Sequence, residues 1–267
     1  MENRARKLYL IPYVLWIGLF VVTPILLVVY YSFFDLNGNF TVANYEKLFT
    51  PVYIKMILSS FWYAFLITAF CLLIAYPAAY FITKSKYKQL LLLLIILPSW
   101  INLLLKAYAF LGIFSTYGAA NSFLEAVGIG TRQILFTDFS FVFVAVYIFI
   151  PFMLLPIFNA LDKLNPTLID ASRDLGASAW ITFQKVVFPL TIDGVKSGVQ
   201  AVFIPALSLF MITRLIAGNR VITLGTAIEQ HFLITQDWGM GSAIAVFLII
   251  TMVVIMVVTG TRKRGVQ

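Results

Sequence analysis

Six long apolar runs constrain this sequence of 267 residues more than any other feature. About twenty helical residues, at 1.5 Å rise per residue, cross a hydrocarbon core of ~30 Å. The runs lie at about 8–31, 56–82, 90–114, 139–161, 195–216 and 243–260. They predict an all-α integral membrane protein with six transmembrane helices, in a single domain that covers residues 1–267.

Composition and patterning exclude other fold classes. Hydrophobic residues make up 61% of the chain and charged residues 11%, whereas roughly 25% of a soluble domain is charged. A membrane β-barrel would show short alternating segments, and the continuous apolar run at 90–97 does not alternate. The net charge of +8 comes from basic clusters beside the apolar runs, which indicates membrane orientation and not nucleic-acid binding.

The distribution of Lys and Arg predicts that both termini are cytoplasmic. An inside N-terminus gives the inner side Arg4, Arg6, Lys7, Lys84, Lys86, Lys88, Lys163, Arg173, Lys185, Lys196, Arg262, Lys263 and Arg264. The outer side then holds only Lys47, Lys55, Arg132 and Arg220. The positive-inside rule predicts this asymmetry. Lys106 and Arg214 fall near the outer ends of predicted spans, where we expect their stems to snorkel to the interface; the alternative is that they line a pathway.

The longest inner connection joins the fourth and fifth predicted spans, and its sequence predicts two short helices with a turn between them. Asn165 is a helix cap followed by the first-turn Pro166, and Gly176 can end this helix in a left-handed conformation. Ser178 can cap the second helix, which we expect Pro189 to end.

A motif in this connection resembles the signature loop of permeases in binding-protein-dependent ATP-binding-cassette (ABC) importers. That loop runs Glu-Ala-Ala, three residues, Gly, and an apolar stretch that ends in Pro. Ala171, Gly176 and Pro189 keep the pattern, whereas Asp170 replaces the Glu and Ser172 replaces the second Ala. Asp retains the charge and Ser is close to Ala in size, so neither departure removes the chemistry of the loop.

The resemblance implies a MetI-like importer permease fold and a place in the bacterial inner membrane, within the lipid bilayer. It implies a cytoplasmic coupling loop at 162–194 that docks into an ATPase subunit. The residues implied for this contact are Asp170, Ala171, Ser172, Asp174, Gly176 and Pro189. The implied partners are a homologous second permease in a heterodimer, two copies of the ATPase, and an extracellular or periplasmic binding protein.

Three further segments, 76–81, 97–108 and 150–164, together with the coupling loop, resemble the branch of this family that carries spermidine and putrescine. The resemblance implies a polyamine cargo and a polyamine-binding protein as partner. Iron, sulfate or thiamine is the alternative cargo within the family. An ATP-independent carrier or channel is disfavoured, because no Asp or Glu lies in the middle of a predicted span.

The sequence predicts a transporter subunit and not an enzyme. It contains no Gly-x-x-x-x-Gly-Lys-Ser/Thr loop, so we expect ATP and Mg to be bound by the partner ATPase and no cofactor by this chain. We predict no catalytic or metal site, because His231 is the single histidine and cannot form a His-Glu-x-x-His motif. Cys71 is the single cysteine and is expected to be a packing residue.

A polyamine carries several ammonium groups, so its path should offer carboxylates or aromatic faces. The candidates for a translocation pathway are Trp100, Asn102, Tyr108, Glu229 and Asp237. Trp100 and Tyr108 also suit helix packing or an interfacial aromatic belt, and the two acids also suit ordinary loop charges.

Overall fold

The computed structural model describes residues 2–218 and 220–260. Within these residues the regular structure is helical, apart from one isolated bridge between Phe34 and Phe40. Six segments are long and apolar enough to cross a membrane: Leu10–Tyr31, Pro51–Thr83, Leu103–Ala126, Asp138–Asp162, Ala179–Leu207 and Trp238–Thr259. The prediction of an all-α protein with six membrane helices is therefore confirmed.

The helices are, in chain order, α1 (Glu2–Ile17), α2 (Thr23–Tyr31), α3 (Ala43–Leu48), α4 (Pro51–Thr83), α5 (Lys88–Ile96), α6 (Leu103–Phe114), α7 (Ala119–Ala126), α8 (Asp138–Asp162), α9 (Pro166–Asp174), α10 (Ala179–Thr182), α11 (Phe188–Leu207), α12 (Met211–Ile216), α13 (Leu224–Glu229) and α14 (Trp238–Thr259). A 3-10 turn occupies Leu97–Trp100, and π turns occupy Gly18–Val22, Phe183–Val187 and Gln230–Ile234. The described residues group into two compact units. One lies in 2–56 and 227–251, and we call it the outer-loop unit because the predicted topology puts its loops outside the cell. The other, the core unit, lies in 57–226 and 252–260.

The run predicted as the third span, 90–114, is two helices in the structure. Helix α5 gives way to a 3-10 turn that contains Pro98, because proline has no N–H with which to continue the helix. Helix α6 then starts anew, with the Asn102 Oδ1 accepting the Leu104 N–H at 2.8 Å. The candidate span is accordingly Leu103–Ala126, preceded by a shorter apolar helix.

The run predicted as the fifth span, 195–216, also has different bounds. Helical structure continues from Ala179 to Leu207, and α12 is separate. The sequence predicts that Pro189 ends the second helix of the coupling loop. This prediction is wrong, because Pro189 lies in the first turn of α11. A proline needs no N–H partner there, and the π turn before it carries a bond from the Phe188 N–H to the Phe183 carbonyl.

The centre of the core unit is the contact between α8 and α11. A Cβ added at Gly194 would collide with the Ala160 Cβ and the Pro156 carbonyl oxygen, and one added at Gly198 would meet Met153. Two glycines one turn apart therefore allow the two helix backbones to approach closely, as small residues do in membrane helix pairs.

Helix α4 completes this core. The Cys71 Sγ is fully buried, 3.6 Å from the Val146 carbonyl of α8, so Cys71 is a packing residue as predicted. The hydroxyls of Tyr76 and Thr191 lie 2.8 Å apart in the interior and join α4 to α11. Each of these two hydroxyls thus has a partner, which offsets the cost of burying it.

The prediction that Lys106 snorkels to the interface is wrong. Its side chain is only 8% exposed and lines a cavity of about 170 Å³ together with Ser99, Tyr147 and Pro151. Because the helix breaks before Leu103, Lys106 lies in the first turn of α6 and not near the end of one long span.

In the outer-loop unit, the first apolar segment, Leu10–Tyr31, has no buried residue, so its surface is available to lipid or to another subunit. The loop that follows is held by the buried Asn44, whose Nδ2 donates to the carbonyls of Ser32 at 3.1 Å and Phe34 at 2.9 Å. Gly239 lies so close to Phe34 that an added Cβ would collide with that carbonyl oxygen.

We predict that Gly194→Ala lowers the stability of the protein by about 1–3 kcal/mol, because the new methyl group overpacks the contact between α8 and α11. The matched control is Gly112→Ala in α6, where an added Cβ meets nothing within 4 Å. That variant should be neutral or up to about 1 kcal/mol more stable, because alanine favours a helix. Thermal unfolding in detergent measures both, and equal stability of the two variants would contradict the close approach.

Candidate coupling loop and translocation pathway

The connection between α8 and α11 contains the two helices that the sequence predicts. The Asn165 Oδ1 accepts the Thr167 N–H at 3.1 Å, and Pro166 occupies the first turn of α9. The Ser178 Oγ accepts the Ile181 N–H at 3.3 Å and caps α10. Both predicted caps are confirmed, so the start of each helix is fixed by its own local sequence.

Gly176 provides the turn between α9 and α10. Its φ of +81° is left-handed, and its N–H donates to the Arg173 carbonyl at 2.8 Å, while the Ala177 N–H donates to the Ser172 carbonyl at 3.1 Å. A Cβ at Gly176 would meet no atom within 4 Å. The glycine is therefore required by the backbone conformation and not by lack of space, and the predicted helix end is confirmed.

The departure from the family motif at Ser172 has a structural role. The Ser172 Oγ lies 3.0 Å from the Thr182 Oγ1, and Thr182 is buried. The rings of Trp180 and Phe183 stack beside this bond, with centroids 5.7 Å apart. A hydroxyl at this position thus ties α9 to α10, where an alanine would leave Thr182 without this partner.

The outward surface of the helix pair combines acidic and apolar groups. Asp170 and Asp174 are exposed one turn apart on α9, so both carboxylates lie on one face. Leu175 is 89% and Trp180 64% exposed beside them. Neither carboxylate forms an ion pair with another residue in 2–218 or 220–260. Such a surface suits a basic, partly apolar groove on another protein.

The remaining coupling-loop residues are placed differently. Ala171 is exposed on α9, whereas Pro189 lies in α11, outside the helix pair.

An ion pair fixes the start of the connection. The Lys88 Nζ lies 2.7 Å from the Asp162 Oδ1 and joins α5 to the end of α8, where the loop begins. Sequence reasoning missed this pair, because no local pattern links residues so far apart along the chain.

The pathway candidates of the core unit are not brought together by direct contacts. Trp100 is 75% and Tyr108 58% exposed, and Asn102 caps α6. In the described part of the chain, no hydrogen bond or ring contact joins any two of these three residues. Their role in a pathway stays a prediction.

The other two candidates belong to the outer-loop unit. Glu229 is the last residue of α13. The Asp237 Oδ1 accepts the Met240 N–H at 3.0 Å and so caps the start of α14, which gives this acid a structural role. Across residues 2–218 and 220–260, no group of three His, Cys, Asp or Glu side chains is placed to hold a metal ion.

His231 lies in the π turn before α14 and is half-buried. Its Nε2 lies 2.8 Å from the Tyr53 hydroxyl, and its Nδ1 lies 3.3 Å from the Thr235 Oγ1. Burial lowers the pKa of His231 and Lys47 acts in the same direction, although Asp237 opposes them. This histidine is therefore a hydrogen-bonded, half-buried residue whose pKa lies below the usual histidine value.

Three similarities identify the family. Residues 71–261 match the family described as binding-protein-dependent transport system inner membrane component. The spermidine/putrescine transport system permease protein PotB of Haemophilus influenzae is 35% identical over 97% of this chain and 94% of its own length. PotB of Escherichia coli is 35% identical over 93% of this chain and 94% of its own length.

The fold agrees with this assignment. The crystal structure of a bacterial alginate ABC transporter in complex with an alginate pentasaccharide-bound periplasmic protein includes a chain that superimposes with a TM-score of 0.83. Its sequence identity is 17%, over 98% of this chain and 95% of that chain, so the likeness is one of fold. The chain described here therefore belongs to the inner membrane components of binding-protein-dependent transport systems, the multi-pass permease subunits of bacterial ABC importers.

Proposed function

We propose that this chain is the permease subunit of an importer that carries polyamines, spermidine or putrescine, into the cell. The observation that carries the proposal is the 35% identity, over more than nine-tenths of the chain, to relatives named spermidine/putrescine permeases. Residues 1–267 would form one permease domain, with Trp100, Asn102, Tyr108, Glu229 and Asp237 as candidates for the pathway.

Transport would use alternating access driven by two copies of a partner ATPase that binds ATP and Mg. The coupling loop, 162–194, would dock through Asp170, Asp174 and the apolar side chains beside them. ATP binding would close the ATPase pair, draw the coupling loops together and open the spans outward, and hydrolysis would reset them. The exposed carboxylates and the 89% exposed Leu175 support this contact, because they present a surface without an occupant in the described chain.

The complete importer would contain a homologous second permease and a periplasmic polyamine-binding protein. A pathway between two permeases fits a chain whose spans carry few acidic groups, because a separate protein then captures the cation before transport. The first apolar segment, which has no buried residue, is available to the second permease or to lipid. Both termini and the coupling loop would face the cytoplasm.

Cysteine labelling tests this orientation. Cys71 is fully buried, so a cysteine introduced at Leu175 or at the exposed Ile129, which lies outside the candidate spans, supplies the reactive thiol. We expect a membrane-impermeant maleimide to label Leu175→Cys in inside-out vesicles and Ile129→Cys in right-side-out vesicles. The opposite pattern would place the coupling loop outside the cell and contradict the proposed ATPase contact.

Charge reversal on α9 tests the coupling role. Asp170→Lys should abolish ATP-driven uptake by the assembled importer, because it puts a positive charge where a basic partner surface is expected. Insertion and thermal stability should stay unchanged, because Asp170 is exposed and bonds to no described residue. Radiolabelled spermidine uptake and ATPase co-purification measure the effect. The control is Glu46→Lys on α3, an exposed carboxylate outside the candidate spans and on the predicted opposite side. Uptake that survives Asp170→Lys would argue against the contact.

Competition identifies the cargo. Unlabelled putrescine and spermidine should suppress the uptake of labelled spermidine by the reconstituted importer, whereas iron, sulfate and thiamine should not. Suppression by one of the latter three, or failure of the importer to take up spermidine at all, would assign a different cargo to the same fold.

A further inference from the structure

A pocket of about 450 Å³ opens in the outer-loop unit, where α2 ends and α14 begins. Its wall contains four aromatic rings, one carboxylate and one amide: Tyr30, Tyr31, Phe34, Trp238, Asp35 and Gln236. None of these six is among the residues that the sequence predicts for the pathway. We call this group the aromatic pocket.

The rings of the aromatic pocket support one another. The Tyr30 and Phe34 centroids are 4.6 Å apart, Tyr30 meets Tyr31 edge-on at 5.6 Å, and Tyr31 lies 6.1 Å from Trp238. Tyr30 is 58% and Trp238 51% exposed, so their surfaces remain accessible from outside the protein. The contacts limit the freedom of the rings, which lowers the cost of ordering them around a ligand.

Asp35 is held in place by hydrogen bonds within its own loop. Its Oδ1 accepts the N–H groups of Asn37 at 2.9 Å and Asn39 at 2.8 Å, and the Asn39 Nδ2 lies 3.4 Å from Oδ2. The hydrogen bond from the Asn39 N–H is the main reason that the pKa of Asp35 lies below its usual value. No Lys or Arg in the described chain forms an ion pair with it, so its negative charge is not neutralised.

The two sides of the pocket are fixed to each other. Gly239 approaches the Phe34 carbonyl at a distance that excludes a Cβ, and Asn44 bonds to the same carbonyl. Gln236 has a left-handed φ of 55°, and its Oε1 accepts the Trp238 Nε1–H at 3.4 Å. The amide oxygen therefore lies beside the aromatic rings, as a second acceptor for a cation.

Aromatic faces, a fixed carboxylate and a carbonyl oxygen together favour an organic ammonium group. An anion would meet an unneutralised carboxylate, and a hard divalent metal would find one carboxylate where it needs several oxygen ligands. We propose that the aromatic pocket binds a terminal ammonium of the polyamine cargo as it enters the permease. The choice of cargo rests on the proposed function, and the predicted topology puts this end of α2 outside the cell.

Aminophospholipids carry the same ammonium chemistry, and aromatic residues are common where membrane helices meet headgroups. The test therefore uses nanodiscs of phosphatidylglycerol alone, which offer no ammonium headgroup. The full-length chain, with the subunits that co-purify with it and without a binding protein, is titrated with 1,4-diaminobutane. The uncharged analogue 1,4-butanediol has the same length and is titrated in parallel.

We expect the diamine to bind and the diol not to bind. Asp35→Asn should weaken diamine binding roughly tenfold, because it removes the charge while keeping an acceptor oxygen for the loop. Trp238→Leu should weaken it as well, and Trp238→Phe should restore most of it, because the aromatic face returns. The control is Glu46→Gln on α3, which removes a carboxylate of the same unit that does not line the pocket. This variant should bind the diamine as tightly as the unchanged protein does.

Equal binding by Asp35→Asn and Glu46→Gln would overturn the proposal, as would equal affinity for diamine and diol. Loss of diamine binding in nanodiscs that contain phosphatidylethanolamine would overturn it too, because the headgroup would then be the occupant. Uptake separates this proposal from the proposed function. If the unaltered importer takes up spermidine but Asp35→Asn leaves diamine binding in the nanodiscs unchanged, the pocket alone is refuted. If the unaltered importer takes up no spermidine, the cargo is refuted.

Discussion

The close approach of α8 and α11 is the constraint on which the rest of the core unit depends. Two glycines, at 194 and 198, leave room for the backbone of α8 at Pro156 and Met153. In a membrane, packing of this kind replaces the hydrophobic effect, because lipid tails are as apolar as leucine side chains. Helix α4 packs onto the same pair through Cys71 and the Tyr76–Thr191 hydrogen bond. The connection between α8 and α11 then has its two ends fixed, which lets a short helix pair project from them.

That projecting pair owes its shape to local chemistry. The caps at Asn165 and Ser178, the left-handed Gly176 and the Ser172–Thr182 bond all lie within the connection itself. A structure set by its own caps does not need a partner in order to form, so the exposed carboxylates and apolar side chains are presented before any contact is made. Such preorganisation would lower the entropic cost of the proposed docking to an ATPase.

The number and kind of the membrane segments followed from the sequence, because a continuous apolar run can satisfy its backbone in lipid only as a helix. The bounds of the membrane segments did not follow from the sequence, because a proline can either interrupt a helix or lie in its first turn. Pro98 interrupts a helix and Pro189 lies in the first turn of one, and only the neighbouring hydrogen bonds distinguish these cases. The prediction for Lys106 failed for the same reason, since the break before α6 puts this residue in the first turn of a new helix, where it is buried. The aromatic pocket escaped prediction because Trp238 joins Tyr30 and Tyr31 only through the fold.

The π turn at Phe183–Val187 has a mechanical consequence. It lets the chain pass Pro189 without a gap, so one helical rod of 29 residues runs from Ala179 to Leu207. At 1.5 Å per residue this rod is about 43 Å long. Helical structure is thus continuous from the second helix of the loop to the interior of the core unit, and no loop interrupts it between Ala179 and Leu207. A displacement of Trp180 by the proposed ATPase partner would therefore act on the core unit without an intervening flexible loop.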